Sequence, residues 1–258
     1  MNKKIKILLV VILMVFTLCG CENKSTTSKE SSTNKDSKLE KIDVDNLIEA
    51  IYNRTTASTI NGIDTTFYDS KGLKVKEMTD EYKGLIAERN YLAYINTSIG
   101  SATINENSVK YAYDSIFGAG EYKSGQKLYS ECYDFSYNKK FKYYQDNSAG
   151  GCGGTTSSDV YPKVIKAEKN NKYLKVTAAV IFRDKDNLYK SYKDLTATKN
   201  SLGTLDELIG EKELNSITNE SILEYVEKNQ DKLQQYTKTF EIDKNGFYKY
   251  IGFERTKE

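Results

Sequence analysis

The chain is expected to fold as an α+β protein, with helices in its first part and a curved antiparallel sheet closing its second. Three observations lead there. Apolar residues recur at helical spacing up to Phe117, then alternate with period two from Leu174, and an Asn-Gly turn joins two β-rich runs near the C-terminus.

The elements follow in order. Val44, Leu47, Ile48 and Ile51 form a helical stripe behind Asp43, read as its N-cap. A second helix is expected from Thr79, with Tyr82, Leu85, Ile86 and Leu92 on one side, and a third from Ser108 through Val109, Ala112, Ile116 and Phe117 to Gly118. Such stripes are ordinarily core faces rather than binding grooves. Leu174, Val176, Ala178, Val180 and Phe182 alternate with Tyr173, Lys175 and Thr177, the pattern of a half-buried strand. Leu205–Leu214 and Ile222–Leu233 read as helices, the latter capped by Asn219. Tyr236–Ile242 and Phe247–Phe253 close the chain as a hairpin around Lys244-Asn245-Gly246, whose Asn-Gly step supplies the backbone angles of a tight turn.

The N-terminus is of another kind. Lys3, Lys4 and Lys6 precede an apolar run, Ile7–Leu18, which ends in Cys19-Gly20-Cys21 before the sequence turns polar. About a dozen apolar residues fall short of the roughly 20 that span a bilayer, so the run reads as an export signal. Leu18-Cys19-Gly20-Cys21 resembles the lipobox of bacterial lipoproteins. That resemblance implies a diacylglyceryl group on the Cys21 thiol, cleavage between Gly20 and Cys21, and attachment to the outer face of the bacterial cytoplasmic membrane. Cys19 departs slightly from the usual small residue at its position. Two acyl chains anchor stably where one does not. The expected organisation is a signal peptide over 1–20, a tether over 21–41 and a globular domain over 42–258, with a sub-boundary near 155–165. Glu22–Ser37 is Ser-, Thr-, Lys- and Glu-rich, with no aliphatic residue before Leu39, so it buries too little to offset its ordering entropy. A coil of about 17 residues reaches about 20–25 Å.

Composition narrows the chemistry. Without residues 1–20, 35 of the 38 basic residues remain against 36 acidic ones, a net charge of −1. No electrostatic case remains for nucleic acid or for a polybasic membrane patch. The chain holds no histidine, which removes Ser-His-Asp and Cys-His nucleophiles and His-containing metal sites. Carboxylate chemistry or oxygen-bound calcium would remain. Asp184-Lys185-Asp186-Asn187 resembles the start of a calcium loop but lacks its glycine and closing glutamate, so it reads as a turn. No catalytic residue, metal site or cofactor is assigned.

Cys132 and Cys152 are the remaining cysteines, one in the strand-like run Leu128–Phe135 and one in Gly150-Gly151-Cys152-Gly153-Gly154. Lys140–Tyr144 between them suits a returning strand. Outside the membrane such a pair tends to bridge, closing about 20 residues for about 3 kcal/mol. Two free thiols, or a redox-active Cys152, are the alternatives. The glycine loops at 118–125 and 150–154 lack the Gly-Lys-Ser/Thr of a phosphate loop and read as turns.

The order Leu73–Asn90, Val109–Phe117-Gly118, Tyr133–Tyr144 and Gly150-Gly151-Cys152-Gly153 resembles a family of uncharacterised exported proteins and lipoproteins of Firmicutes, over roughly residues 70–258. The C-terminal helix, long strand and hairpin are similar to nuclear transport factor 2-like cones. The resemblance implies export and fold class and carries no catalytic residue. The expectation is a membrane-anchored, non-catalytic module that binds a small molecule or protein through tyrosines on the concave sheet face. A carboxylate-dependent wall or glycan hydrolase and an accessory subunit of a transporter or secretion system are the alternatives.

Overall fold

A six-strand antiparallel path forms the backbone of the fold. In the computed structural model, residues 38–56, 68, 70–92, 103–130, 133–148, 159–210 and 218–257 are described. They belong to one compact unit, Ser37–Glu258. The strands are β1 (Glu40–Ile42), β2 (Gly72–Lys74), β3 (Thr103–Asn105), β4 (Phe135–Asn138), β5 (Tyr143–Asp146), β6 (Asp159–Lys169), β7 (Tyr173–Asp184), β8 (Asn187–Tyr189), β9 (Gly203–Thr204), β10 (Gln234–Ile242) and β11 (Tyr248–Lys257). The helices are α1 (Asn46–Arg54), α2 (Asp80–Leu92), α3 (Glu106–Phe117), α4 (Tyr192–Ala197), α5 (Leu205–Ile209) and α6 (Asn219–Asn229). The main sheet runs β1-β6-β7-β10-β11-β2, with β8 and β9 continuing from β7, while β3-β5-β4 forms a separate sheet. The α+β class is therefore as expected.

Local chemistry sets the helix ends. Asp45, not Asp43, caps α1 by accepting from Ile48 N–H at 2.9 Å. Asp43 precedes the expected stripe and Asp45 lies within it; of that stripe Ile48 and Ile51 face inward, while Val44 and Leu47 are exposed. Thr79 Oγ1 accepts from Tyr82 N–H at 3.1 Å at the start of α2. Asn105 caps α3, which begins at Glu106 rather than Ser108 and stops at Gly118, where φ is 92°. Thr218, not Asn219, caps α6, because its hydroxyl accepts from Ser221 N–H.

The long hairpin β10–β11 departs in one detail. Only Gly246 has a positive φ, at 82°, and Asn245 does not. Asp243 Oδ1 accepts from Asn245 N–H and Phe247 N–H at 2.8 and 2.9 Å. The turn therefore pairs an aspartate-stabilised reversal with one left-handed glycine, not the two positive angles of a two-residue Asn-Gly turn.

Both sheet faces carry core. Leu174, Val176, Ala178, Val180 and Phe182 pack with Tyr236, Phe240 and Tyr250 beneath α1, α2 and α3. On the other face, Ala179, Ile181 and Tyr161 meet Leu205, Ile222, Val226 and Leu233 from the α5–α6 region. β7 is thus half-buried near its start, where Tyr173 and Lys175 keep partial exposure, is buried on both faces from Val176 to Phe182, and is partly exposed again at Arg183 and Asp184. β1 opens at Glu40, inside the segment read as tether, and pairs with β6 over Lys169–Ala167. Within the expected helix Leu205–Leu214, α5 is ended by left-handed Gly210, and residues 211–214 lie outside the described residues. At the opposite edge, Gly252 has φ 148° and a Cβ there would stand 2.6 Å from the Leu73 carbonyl oxygen, so β2 and β11 meet this closely only because that side chain is absent.

Cys19, Cys21, Leu18 and Gly20, most of the tether, Cys132, Cys152 and the 150–154 loop lie outside the described residues. Among the described residues no helix is long and apolar enough to cross a membrane.

Candidate functional site

The tyrosines expected to line an open inner face are core. Tyr236 and Tyr250, on the sheet face beneath the helices, and Tyr52, on α1 itself, are each at most 1% exposed, so a ligand cannot reach them without unpacking the domain. Tyr236 and the neighbouring Lys238 are held by closed interior networks, whereas Tyr250 OH has no hydrogen-bond partner among the described residues. Tyr236 OH lies 3.1 Å from the Tyr68 carbonyl oxygen and 2.9 Å from Gln234 Oε1, its one proton shared between the two acceptors. Lys238, fully buried on the same face of β10, donates to the Tyr52 carbonyl at 2.9 Å and to Thr56 Oγ1 at 2.6 Å. Burial pushes the Tyr52 phenol well above its ordinary range, with Tyr236 adding to the shift.

A second network fastens the small sheet to α3. Ser124 Oγ and Tyr122 OH donate to Glu106 Oε1, the latter at 3.3 Å. Tyr144 OH donates to the Gln126 carbonyl at 2.9 Å and accepts from Tyr122 OH at 2.7 Å, so the single Tyr122 proton is divided between Tyr144 and Glu106. The Ser124 hydrogen bond holds the Glu106 carboxyl below its usual range, outweighing the opposing effect of burial. Burial pushes Tyr122 up to about 12. Nearby, Ser130 Oγ donates to buried Glu88, and Tyr91 OH to the Tyr129 carbonyl. These groups satisfy one another and close the interior.

The open chemistry lies on the opposite sheet face. Antiparallel register places Thr239 against Lys175 on β7 and against Gly252 on β11, and Gly252 against Lys74 on β2. This brings Lys74, Tyr173, Lys175, Thr239, Ile251 and Glu254 around a concavity of about 330 Å³. Beyond the reach of α5 and α6 nothing in the described chain covers Tyr173 or Lys175 fully. Lys175 Nζ stands 3.6 Å from Glu254 Oε1, a loose, solvated ion pair worth at most about 1 kcal/mol and therefore easily exchanged for a ligand. Next to it Thr177, Thr237 and Thr256 form a hydroxyl ladder, with oxygens 2.8 and 3.3 Å apart. The floor is partly apolar, through Ile251 and the Tyr173 ring, and the rim offers a cation, an anion and hydroxyls. That set can hold a polar ligand with a flat or apolar side.

Sequence reading found Tyr173, Lys175 and Thr177 as the outward side of a strand but assigned them no role. Thr237 and Thr239 share the outward register with Gln235 and Glu241 on β10, a polar alternation that was the available signal. Lys238 was missed as well. Its signal is a lysine between Tyr236 and Phe240 on the inward side of the strand. Among the described residues, no group of three or more Asp, Glu or Cys side chains could hold a metal ion. Compared with protein-family models, curated proteins and solved structures, the chain matches none.

Proposed function

We propose that this chain is an exported module, lipid-anchored through Cys21, that binds a polar ligand on the open face shared by β7, β10, β11 and β2 and performs no chemistry on it. The observation that carries the reading is the concavity around Lys175, Thr239 and Glu254, an open site whose polar groups are only loosely paired. Binding fits it better than glycan hydrolysis, which needs two carboxylates about 5–9.5 Å apart. Glu254 is the single carboxylate lining the cavity. Placement outside the membrane rests on the lipobox-like Leu18-Cys19-Gly20-Cys21.

Each half has its own test. The mass of the N-terminal peptide from membrane-extracted protein reads anchoring, and an unmodified Cys21 or a different cleavage site overturns it. A photo-crosslinking amino acid at Tyr173 reads binding in intact membranes, with the same group at exposed Leu47 as the control. An adduct from position 173 and none from position 47 is expected. No adduct from 173, or the same adduct from both, overturns the binding site.

A further inference from the structure

A second concavity lies on the other side of Lys74 and Ile251. It is lined by lysines from three separated segments: Lys74 and Lys76 around the 3-10 turn Val75–Glu77, Lys83 from the start of α2, and Lys249 from β11. The cavity is about 310 Å³, and Glu121 is its one carboxylate. Lys83 Nζ pairs with Glu121 at 3.1 Å. Among the described residues no carboxylate lies within ion-pair distance of Lys74, Lys76 or Lys249. The lining therefore carries four ammonium groups against one carboxylate.

One of the four is held in place by the fold. A Cβ on Gly118 would stand 2.8 Å from Lys249 Cδ and 3.3 Å from its Nζ. The Lys249 stem thus lies along the bare backbone that ends α3, where helix carbonyls favour a cation. Helix-end stabilisation accounts for Lys249 alone. It does not account for Lys74 and Lys76, which line the same cavity, and an anion bound there would be attracted by all of them.

We propose that this cavity binds a phosphate-type oxyanion. The lining is all lysine, with no arginine; lysines act as point charges with three rotatable donors each, and several of them around one cavity suit an oxyanion of more than one negative charge approached from several sides. The proposal does not rest on the face read as the ligand site, since Lys76, Lys83 and Lys249 line only this second cavity.

Titration of the purified full chain with inorganic pyrophosphate and with glycerophosphoglycerol, at low and high salt, tests it. Pyrophosphate stands for free phosphate compounds and glycerophosphoglycerol for a lipid headgroup; the tighter of the two identifies the source, and saturable binding of either supports the site. Binding should weaken as salt rises. K76Q/K249Q is expected to weaken it about tenfold, while K190Q/K193Q, on a distant part of the surface, leaves it unchanged. If K76Q/K249Q unfolds, exposed K76Q alone is expected to weaken it about threefold. Failure of both probes to bind at about 10 mM, an unchanged affinity in the folded lysine variants, or an equal loss in K190Q/K193Q overturns the proposal. Photo-crosslinking at Tyr173 is read separately, so the two sites fail or stand independently.

Discussion

Lys238 Nζ lies 4.0 Å from the centroid of the Tyr52 ring while donating to the carbonyl of the same tyrosine at 2.9 Å. β10 and α1 are thereby joined by one cation that meets a π face, a carbonyl and the Thr56 hydroxyl together. Such a cation, fully buried, is costly unless each contact is made.

The Lys238–Thr56 contact should therefore show strong coupling. Hydrogen bonds to charged groups contribute about 1.5–3 kcal/mol, so a double-mutant cycle of K238M and T56V in urea is expected to give a coupling energy in that range. Additivity within about 0.5 kcal/mol would show the contact to be energetically idle.

Glu106 gives a pH dependence of definite sign. Its folded carboxyl is held below its ordinary value, chiefly by Ser124. Stability from this source is present above the unfolded carboxylate pKa of about 4.3 and is lost as pH falls through the depressed folded value. E106Q should be less stable than the parent at pH 7, and the gap should narrow below about pH 4. Unfolding curves of both proteins from pH 7 to pH 3 check it; a gap constant with pH would refute the assignment.

Gly84 tests two opposed magnitudes. In a helix interior Gly→Ala ordinarily gains about 1 kcal/mol. Here a Cβ would lie 2.8 Å from Tyr129 Cδ2 and 2.9 Å from its Cβ. Overpacking of that kind costs about 1–3 kcal/mol, and with the tyrosine root itself in the way the loss should win. G84A is expected to lower the thermal midpoint, and a raised midpoint would mean that the 126–130 segment yields.

Two buried tyrosines should respond oppositely to loss of their hydroxyls. Tyr250 OH is buried with no hydrogen-bond partner, whereas Tyr144 OH bonds to Tyr122 and to the Gln126 carbonyl. Y250F is expected to be neutral or stabilising by up to about 1 kcal/mol, and Y144F destabilising by about 1–2 kcal/mol. Chemical denaturation of the two variants beside the parent checks the contrast.

What the sequence made legible was local. The period-two run at Leu174–Phe182 has few other uses than a strand, and the α2, α3 and α6 stripes needed only helical spacing. Cap positions slipped by one or two residues where adjacent polar residues competed, as Asp43 did with Asp45 and Asn219 with Thr218. Burial of Ala179 and Ile181 was not legible, because α6, which covers them, begins about 40 residues later. The sites were hidden for the same reason. Lys74 and Lys249 are some 175 residues apart and meet only through the β2–β11 pairing, and a net charge of only +2 over the whole chain averages such a cluster away.

The three-rung pairing of β1 with β6 has a mechanical consequence. Everything before residue 40 is covalently joined to the domain through this strand, and β1 occupies the edge opposite β2. Five strand spacings separate those edges, about 24 Å. Tension applied through the N-terminal segment therefore loads Glu40–Ile42 first, and those few rungs yield before force reaches α1. Under such a load β1 is the fuse: its few rungs part first, and β6 stands between the released strand and the strands that line both cavities.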